Sequence, residues 1–297
     1  LVDIDDYFTQ AFVTSCELSP DGKHVVYSEL RWEPPRESRN GDLWVVNVDG
    51  QPPRRLTFHK SSDHSPQWSS DSRFIYFLSS RKQGDGSEPP HNGKTQVWRL
   101  SITGDRIVPI TRLKSGVDAF ELSSDGNSLY YTIGSKAKED EWKALREKHS
   151  TLKYGRGTNN VSQLWKLDLQ TWRAEKLVDE KRFIREFAVS PDGGTISMIT
   201  AKDDLLISHE GWSRVDLFDS ATKKITVVPE DAWRKNVPSP YGWLEELAWC
   251  SDSQRFAFRV AFDGFPAEMI AAQRVSDGFK AWRLKRPKDV SIYGGPL

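Results

Sequence analysis

One tetrapeptide, Ser-Pro-Asp-Gly or a near copy, returns five times along the chain and constrains the fold more than any other feature. It occupies residues 19–22, 69–72, 123–126, 190–193 and, as Cys-Ser-Asp-Ser, 250–253, at steps of 50, 54, 67 and 60 residues. Each copy is built to turn the chain: proline presets φ, aspartate hydrogen-bonds its own backbone, and glycine accepts a positive φ. Self-similarity at such a period predicts an array of small units, none able to bury its apolar surface alone.

Both flanks of every copy alternate as strands do. Ahead of the turns stand Leu18/Cys16, Trp68/Pro66, Leu122/Phe120, Val189/Phe187 and Trp249/Leu247; behind them stand Val25/Tyr27, Ile75/Phe77, Leu129/Tyr131, Ile196/Met198 and Phe256/Phe258. An apolar period of two on both sides of a tight turn is a β-hairpin. A third strand comes next around Trp44, Trp98 and Trp165, and a short fourth ends near Thr57, Thr111 and Leu177. Four antiparallel strands per repeat are the blade of a β-propeller, so the predicted fold is all-β: five recognisable blades plus a stub. Blades pack face to face, which accounts for 12 Trp, 14 Phe and 8 Tyr in a chain that is hydrophilic on average. The expected blades run over about 10–60, 61–113, 114–180, 181–230 and 241–287 of one domain, 1–297.

Charge excludes several function classes. Lys+Arg and Asp+Glu balance at 42 each, so no basic stripe recommends nucleic acid and no cationic amphipathic helix recommends a membrane surface. No apolar run approaches the ~20 residues of a membrane span. The six histidines form no cluster of metal-ligand spacing, and no cofactor motif is present. Cys16, at a core-facing strand position, and Cys250, in place of the turn serine, are expected to be small buried hydrophobes.

The opening Asp5-Asp6-Tyr7-Phe8, with Cys16-Glu17-Leu18 and the first turn after it, resembles the start of the propeller in the prolyl oligopeptidase superfamily of serine peptidases. The stretch from His64 to Arg81, with Phe77-Leu78-Ser79-Ser80-Arg81, looks like the second blade of its acylaminoacyl-peptidase and dipeptidyl-peptidase-like branch. Gln96-Val97-Trp98 and residues 110–117 resemble the same branch, at the end of that blade and the start of the third. TolB-type periplasmic propellers share the individual motifs. The resemblance implies an N-terminal propeller, typically of seven blades, capping a C-terminal α/β-hydrolase domain that carries Ser, Asp and His. It implies a peptide substrate, that hydrolase domain as partner, and a lean towards the periplasm or the cell exterior. No G-x-S-x-G elbow stands in these residues, and Gly294-Gly295-Pro296 reads as the approach to a sixth blade. The expected role is a non-catalytic propeller that gates and orients peptides. The alternative is a TolB-like protein-binding propeller with no enzyme attached.

Four residues are candidates for substrate gating. Trp142 and Arg146 lie in an insertion at 134–160 of the third blade, where Trp142, Leu145, His149 and Leu152 share one helical face. That helix is either a lid facing the substrate entrance or a solvated element packed on its own blade. Glu245 and Glu246 invite comparison with the paired glutamates that hold a substrate's free N-terminus in dipeptidyl peptidases. As neighbours within a strand, however, their carboxylates are expected to diverge. Glu17, Gln67 and Glu121, each two residues before a turn, are expected to satisfy backbone groups between blades. Ser72 and Ser253 are expected at positive φ, so that glycine there would stabilise the fold. Seven-bladed curvature would leave five blades as an open arc with exposed faces, favouring self-association over closure by residues 1–9 or 289–293 as a borrowed strand.

Overall fold

The computed structural model describes residues 3–134, 147–150, 161–201, 212–230, 234, 242–262, 265–276, 278–288 and 290–291. They form five four-stranded antiparallel sheets and one short helix, α1 (Ile4–Thr9). The sheets are β1–β4 (Ala11–Leu18, His24–Glu33, Ser38–Asn47, Arg54–Arg55), β5–β8 (Asp63–Trp68, Phe74–Ser79, Gln96–Ser101, Ile107–Pro109) and β9–β12 (Ala119–Leu122, Ser128–Gly134, Ser162–Asp168, Ala174–Arg182). The fourth is β13–β16 (Ile184–Val189, Thr195–Thr200, Arg214–Asp219, Ile225–Val227), and the fifth is β17–β20 (Trp243–Trp249, Arg255–Phe262, Phe265–Val275, Gly278–Arg283). In every sheet sequential strands are neighbours, which is the propeller blade read from the repeats. Two compact units divide the chain, one of residues 1–133 with 168–170 and one of 134–167 with 171–295.

The turn motifs close as their residue types dictate. Ser19, Ser69 and Ser190 each donate from Oγ to the Asp two positions on, at 2.6 Å. Each serine oxygen in turn accepts the backbone N–H five residues on, at 2.9 Å. These serine hydrogen bonds hold the carboxyls of Asp21, Asp71 and Asp192 below the usual carboxylate range. Cys250 lacks the hydroxyl, and there Asp252 Oδ1 takes the N–H of Gln254 and of Arg255 itself, at 2.9 and 3.0 Å. The last turn residue is left-handed in all five copies, with φ 59° at Ser72 and 56° at Ser253, as expected.

Each unit has a core between adjacent blades. In the first, Leu43, Trp68, Ile75, Phe77 and Trp98 pack together; in the second, Leu217, Leu244, Phe256, Phe258 and Val260 do. Fully burying side chains of this size contributes about 1.5–3 kcal/mol apiece.

One expectation needs correction, that both cysteines are buried. Cys16 and Cys250 are exposed, not buried. Along β1, Ser15 and Glu17 face the second blade, while Cys16 and Leu18 lie on the opposite face, where Leu18 is 56 % exposed. Cys250 sits in the turn itself. The less favoured alternative, closure by a borrowed strand from residues 1–9, finds no strand there: residues 4–9 are helical, and Phe8 packs edge-on against Trp32 of the first blade at 5.2 Å. Of the segment 289–293, only 290 and 291 are described, and neither is in a strand.

Candidate substrate-contacting site on the fifth blade

Every blade has two unlike ends. The Ser-Pro-Asp-Gly turns and the short connections from third to fourth strand share one end. The other carries the connections from second to third strand, which run over 80–95 in the second blade, 135–161 in the third and 201–213 in the fourth. Sequence variation between blades is therefore concentrated at the long-loop end, where ligand contacts are carried by loops on a rigid frame.

Glu245 and Glu246 lie towards this end of β17. Glu245 pairs across the ladder with Arg259 of β18, and the register slips between Glu245 and Ala248. At the slip Glu246 adopts φ 57°, a left-handed residue inside a strand. That bulge cancels the strand alternation on which divergence rested. The two carboxylates converge instead, with Arg259 Nη2 3.1 Å from Glu245 Oε1 and 2.8 Å from Glu246 Oε1. The Arg259 side chain is 4 % exposed, whereas each glutamate keeps about a quarter of its surface in solvent. A buried guanidinium thus fixes the pair from below, while part of each side chain stays in solvent although Glu246 Oε2 is itself buried.

A third carboxylate holds the bulge. Glu186 of β13 accepts the backbone N–H of Glu246 at 3.0 Å and that of Leu247. Burial pushes the Glu186 carboxyl upward, the two N–H donors pull it back, and Glu246 pushes it further up. Arg185 approaches Glu245 to 3.9 Å. The constellation can accept hydrogen bonds from a cationic or N–H-rich ligand. It contains no nucleophile. Among the described residues no group of three His, Cys, Asp or Glu side chains could hold a metal ion, and no helix is long and apolar enough to cross a membrane.

Trp142 and Arg146, with most of the insertion around them, lie outside the described residues. Sequence reasoning missed Arg259, Arg185 and Glu186. Arg259 had a legible signal, since an arginine inside Arg255-Phe256-Ala257-Phe258-Arg259-Val260 can be buried only beside a carboxylate. The bulge at Glu246 had none. Glu17 and Gln67 do bridge blades: Glu17 accepts Trp68 N–H at 2.8 Å, and Gln67 takes Leu122 N–H at 3.0 Å while donating to Phe120 O at 3.1 Å.

No protein-family model matches the chain. It is 24 % identical over 228 residues to an uncharacterized peptidase, YuxL, of Bacillus subtilis, an alignment covering 71 % of this chain and 33 % of that protein. It is 29 % identical over 128 residues to dipeptidyl-peptidase 5 of Porphyromonas endodontalis, covering 43 % of this chain and 17 % of the peptidase. The alignments thus span a third or less of these relatives' length. Among solved structures, the acylaminoacyl peptidase of Pyrococcus horikoshii superposes with a TM-score of 0.58 at 12 % identity over 92 % of this chain and 39 % of that one. A putative TolB of Agrobacterium tumefaciens gives 0.58 at 15 % identity over 93 % and 81 %. Fold and sequence matches agree with the motifs: this chain is a β-propeller similar to those of peptidases and of TolB.

Proposed function

We propose that this propeller serves a serine-peptidase α/β-hydrolase domain of the same protein, gating and orienting peptides for it. The observation that carries the reading is the coverage: the chain aligns with peptidases over a third or less of their length and superposes on 39 % of a solved one. Hydrolysis would follow the acyl-enzyme route of a Ser-His-Asp triad lying outside these residues. In this reading the propeller excludes folded proteins, and the exposed parts of Glu245 and Glu246 take N–H groups of an entering peptide. Trp142 and Arg146 of the third-blade insertion are proposed as further gating residues.

The test uses the complete product of the gene. A short peptide reporter should be cleaved, and the same sequence inside a stable folded domain should not. Glu245→Gln/Glu246→Gln should raise KM for short peptides more than it changes kcat. Equal cleavage of the free and embedded sequences would end the gating role. The TolB-like alternative rests on the superposition that spans 81 % of a putative TolB. A gene product that cleaves no peptide yet retains one protein partner with micromolar affinity would favour it.

A further inference from the structure

The fifth blade departs from its own repeat also at the exit of its last strand. Equivalent positions are set by the ladder, since Arg55 opposes Trp44 in the first blade as Arg283 opposes Ile270 in the fifth. Leu56 N–H donates to Leu43 O, and Leu284 N–H donates to Met269 O in the same way. The acid two residues before Trp44 is Asp42 in one blade, and the acid two residues before Ile270 is Glu268 in the other. Asp42 pairs with Arg55 at 2.6 Å, one acid to one base. Glu268, buried, meets Arg283 at 3.5 Å and also Arg286 at 3.0 Å.

Beyond that pair the blades diverge in charge. In the first two blades the next residue is threonine, and its hydroxyl closes the blade by accepting a third-strand N–H: Thr57 from Leu43 at 3.0 Å and Thr111 from Val97 at 2.9 Å. The fifth blade has Lys285 there, with Arg286, Pro287 and Lys288 after it. A hydroxyl with a structural task has been exchanged for an exposed ammonium. These residues line a cleft of about 430 Å³ with Glu268, Arg283, Val290 and Ser291. Among the described residues lining the cleft, one buried carboxylate therefore meets four cations, in a chain whose total charge is zero. Glu268 holds both guanidiniums at the cleft from beneath, and Arg286 Nη1 also donates to Val290 O at 3.5 Å. The cleft sits at the long-loop end of the blade, the end that also carries Glu245 and Glu246.

We propose that this cleft binds the carboxylates of acidic peptide segments, with Arg283 and Arg286 as fixed contacts and Lys285 and Lys288 as the rim that attracts them. The proposal rests on the peptide-handling reading and adds a preference for acidic chains.

Fluorescein-labelled pentaglutamate, a neutral Gly-Ser pentapeptide and a single-stranded oligonucleotide of equal charge are titrated into the 297-residue chain, with anisotropy as the readout. Pentaglutamate should bind, the neutral peptide should not, and raising salt from about 0.05 to 0.3 M should weaken binding roughly tenfold or more. Lys285→Glu/Lys288→Glu should weaken it by at least about tenfold at low salt while leaving the melting temperature unchanged. Lys60→Glu, the position equivalent to Lys288 in the first blade, should leave it intact. Equal binding of pentaglutamate and the neutral peptide, indifference to the double swap, or tighter binding of the oligonucleotide would overturn the proposal. Failure here leaves the exclusion of folded substrates untouched, whereas loss of that exclusion would sink the gating role and spare the cleft.

Discussion

Trp68 and Trp249 hold the same place in the second and fifth blades, one residue before the turn motif, and bolt their blades to the preceding one in the same way. Trp68 Nε1–H donates to Glu17 O at 3.0 Å, and Trp249 Nε1–H donates to Ala188 O at 3.1 Å. The turn serines repeat too: Ser72 Oγ accepts Asp21 N–H at 3.1 Å, and Ser253 Oγ accepts Asp192 N–H at 3.0 Å. What differs is the carboxylate in each seam. Glu17 meets only the main chain of Trp68 across the seam, and burial pushes it up to about 7 against the pull of that N–H. Glu186 sits beside Arg185 and props the bulge that turns Glu246 onto Arg259. The difference teaches that the bolts and the left-handed bulge, at Ser65 in the second blade and Glu246 in the fifth, are the repeat's structural constants, while only the fifth blade carries a charged side chain on that bulge.

The largest effect expected from breaking this comparison is at the bolts. Trp68→Ala should cost about 3–5 kcal/mol, since it deletes a buried indole and its seam hydrogen bond, and Trp249→Ala should cost less because that ring is only partly buried. Urea unfolding of both variants at one pH would measure this, and equal losses would deny the ranking.

Next is the pH dependence of the first seam. Glu17 titrates near 4.5 in the unfolded chain and at about 7 in the folded one, so between these values the folded state binds the more protons. The stability contributed by this group is therefore full below pH 4.5 and declines as pH rises towards 7, by up to about 3 kcal/mol. Glu17→Gln should abolish that slope and raise stability at pH 8 relative to the parent. A slope that survives the substitution would place the titration elsewhere.

Arg259→Met should cost about 2 kcal/mol, below the 3–5 of a fully buried pair because Glu245 and Glu246 reach solvent. Adding Glu245→Gln and Glu246→Gln should recover most of the loss. If the triple variant is no more stable than Arg259→Met, the two carboxylates do not depend on this cation.

The smallest effect concerns Ser72→Gly. The sequence alone argues for stabilisation, because a left-handed non-glycine residue is strained by about 1 kcal/mol. The hydroxyl's bond from Asp21 N–H, worth about 0.5–1.5 kcal/mol, offsets that relief, so the net change should lie within about 0.5 kcal/mol of zero. A gain of a full kcal/mol would show the seam bond to be idle.

The blades were legible because their determinants are local: a turn motif and an apolar alternation define each hairpin whatever surrounds it. Seam contacts were legible where polarity repeated at a fixed offset, as at Glu17 and Gln67. The site was legible only in part. Glu245 and Glu246 could be singled out by type, but their convergence depends on a bulge that Glu186, some 60 residues away, holds in place, and no local pattern encodes that. Cys16 was misjudged for a related reason. Alternation assigns it to a face of β1 but cannot say whether anything covers that face.

The central claim is that this chain orients peptides and leaves the chemistry to another part of the protein. The most direct measurement is active-site labelling with a fluorophosphonate probe, applied to the complete gene product and to residues 1–297 alone, with the modified residue mapped by mass spectrometry. The account predicts a labelled serine outside these residues and no labelling of the isolated chain. A labelled serine within 1–297 would contradict it.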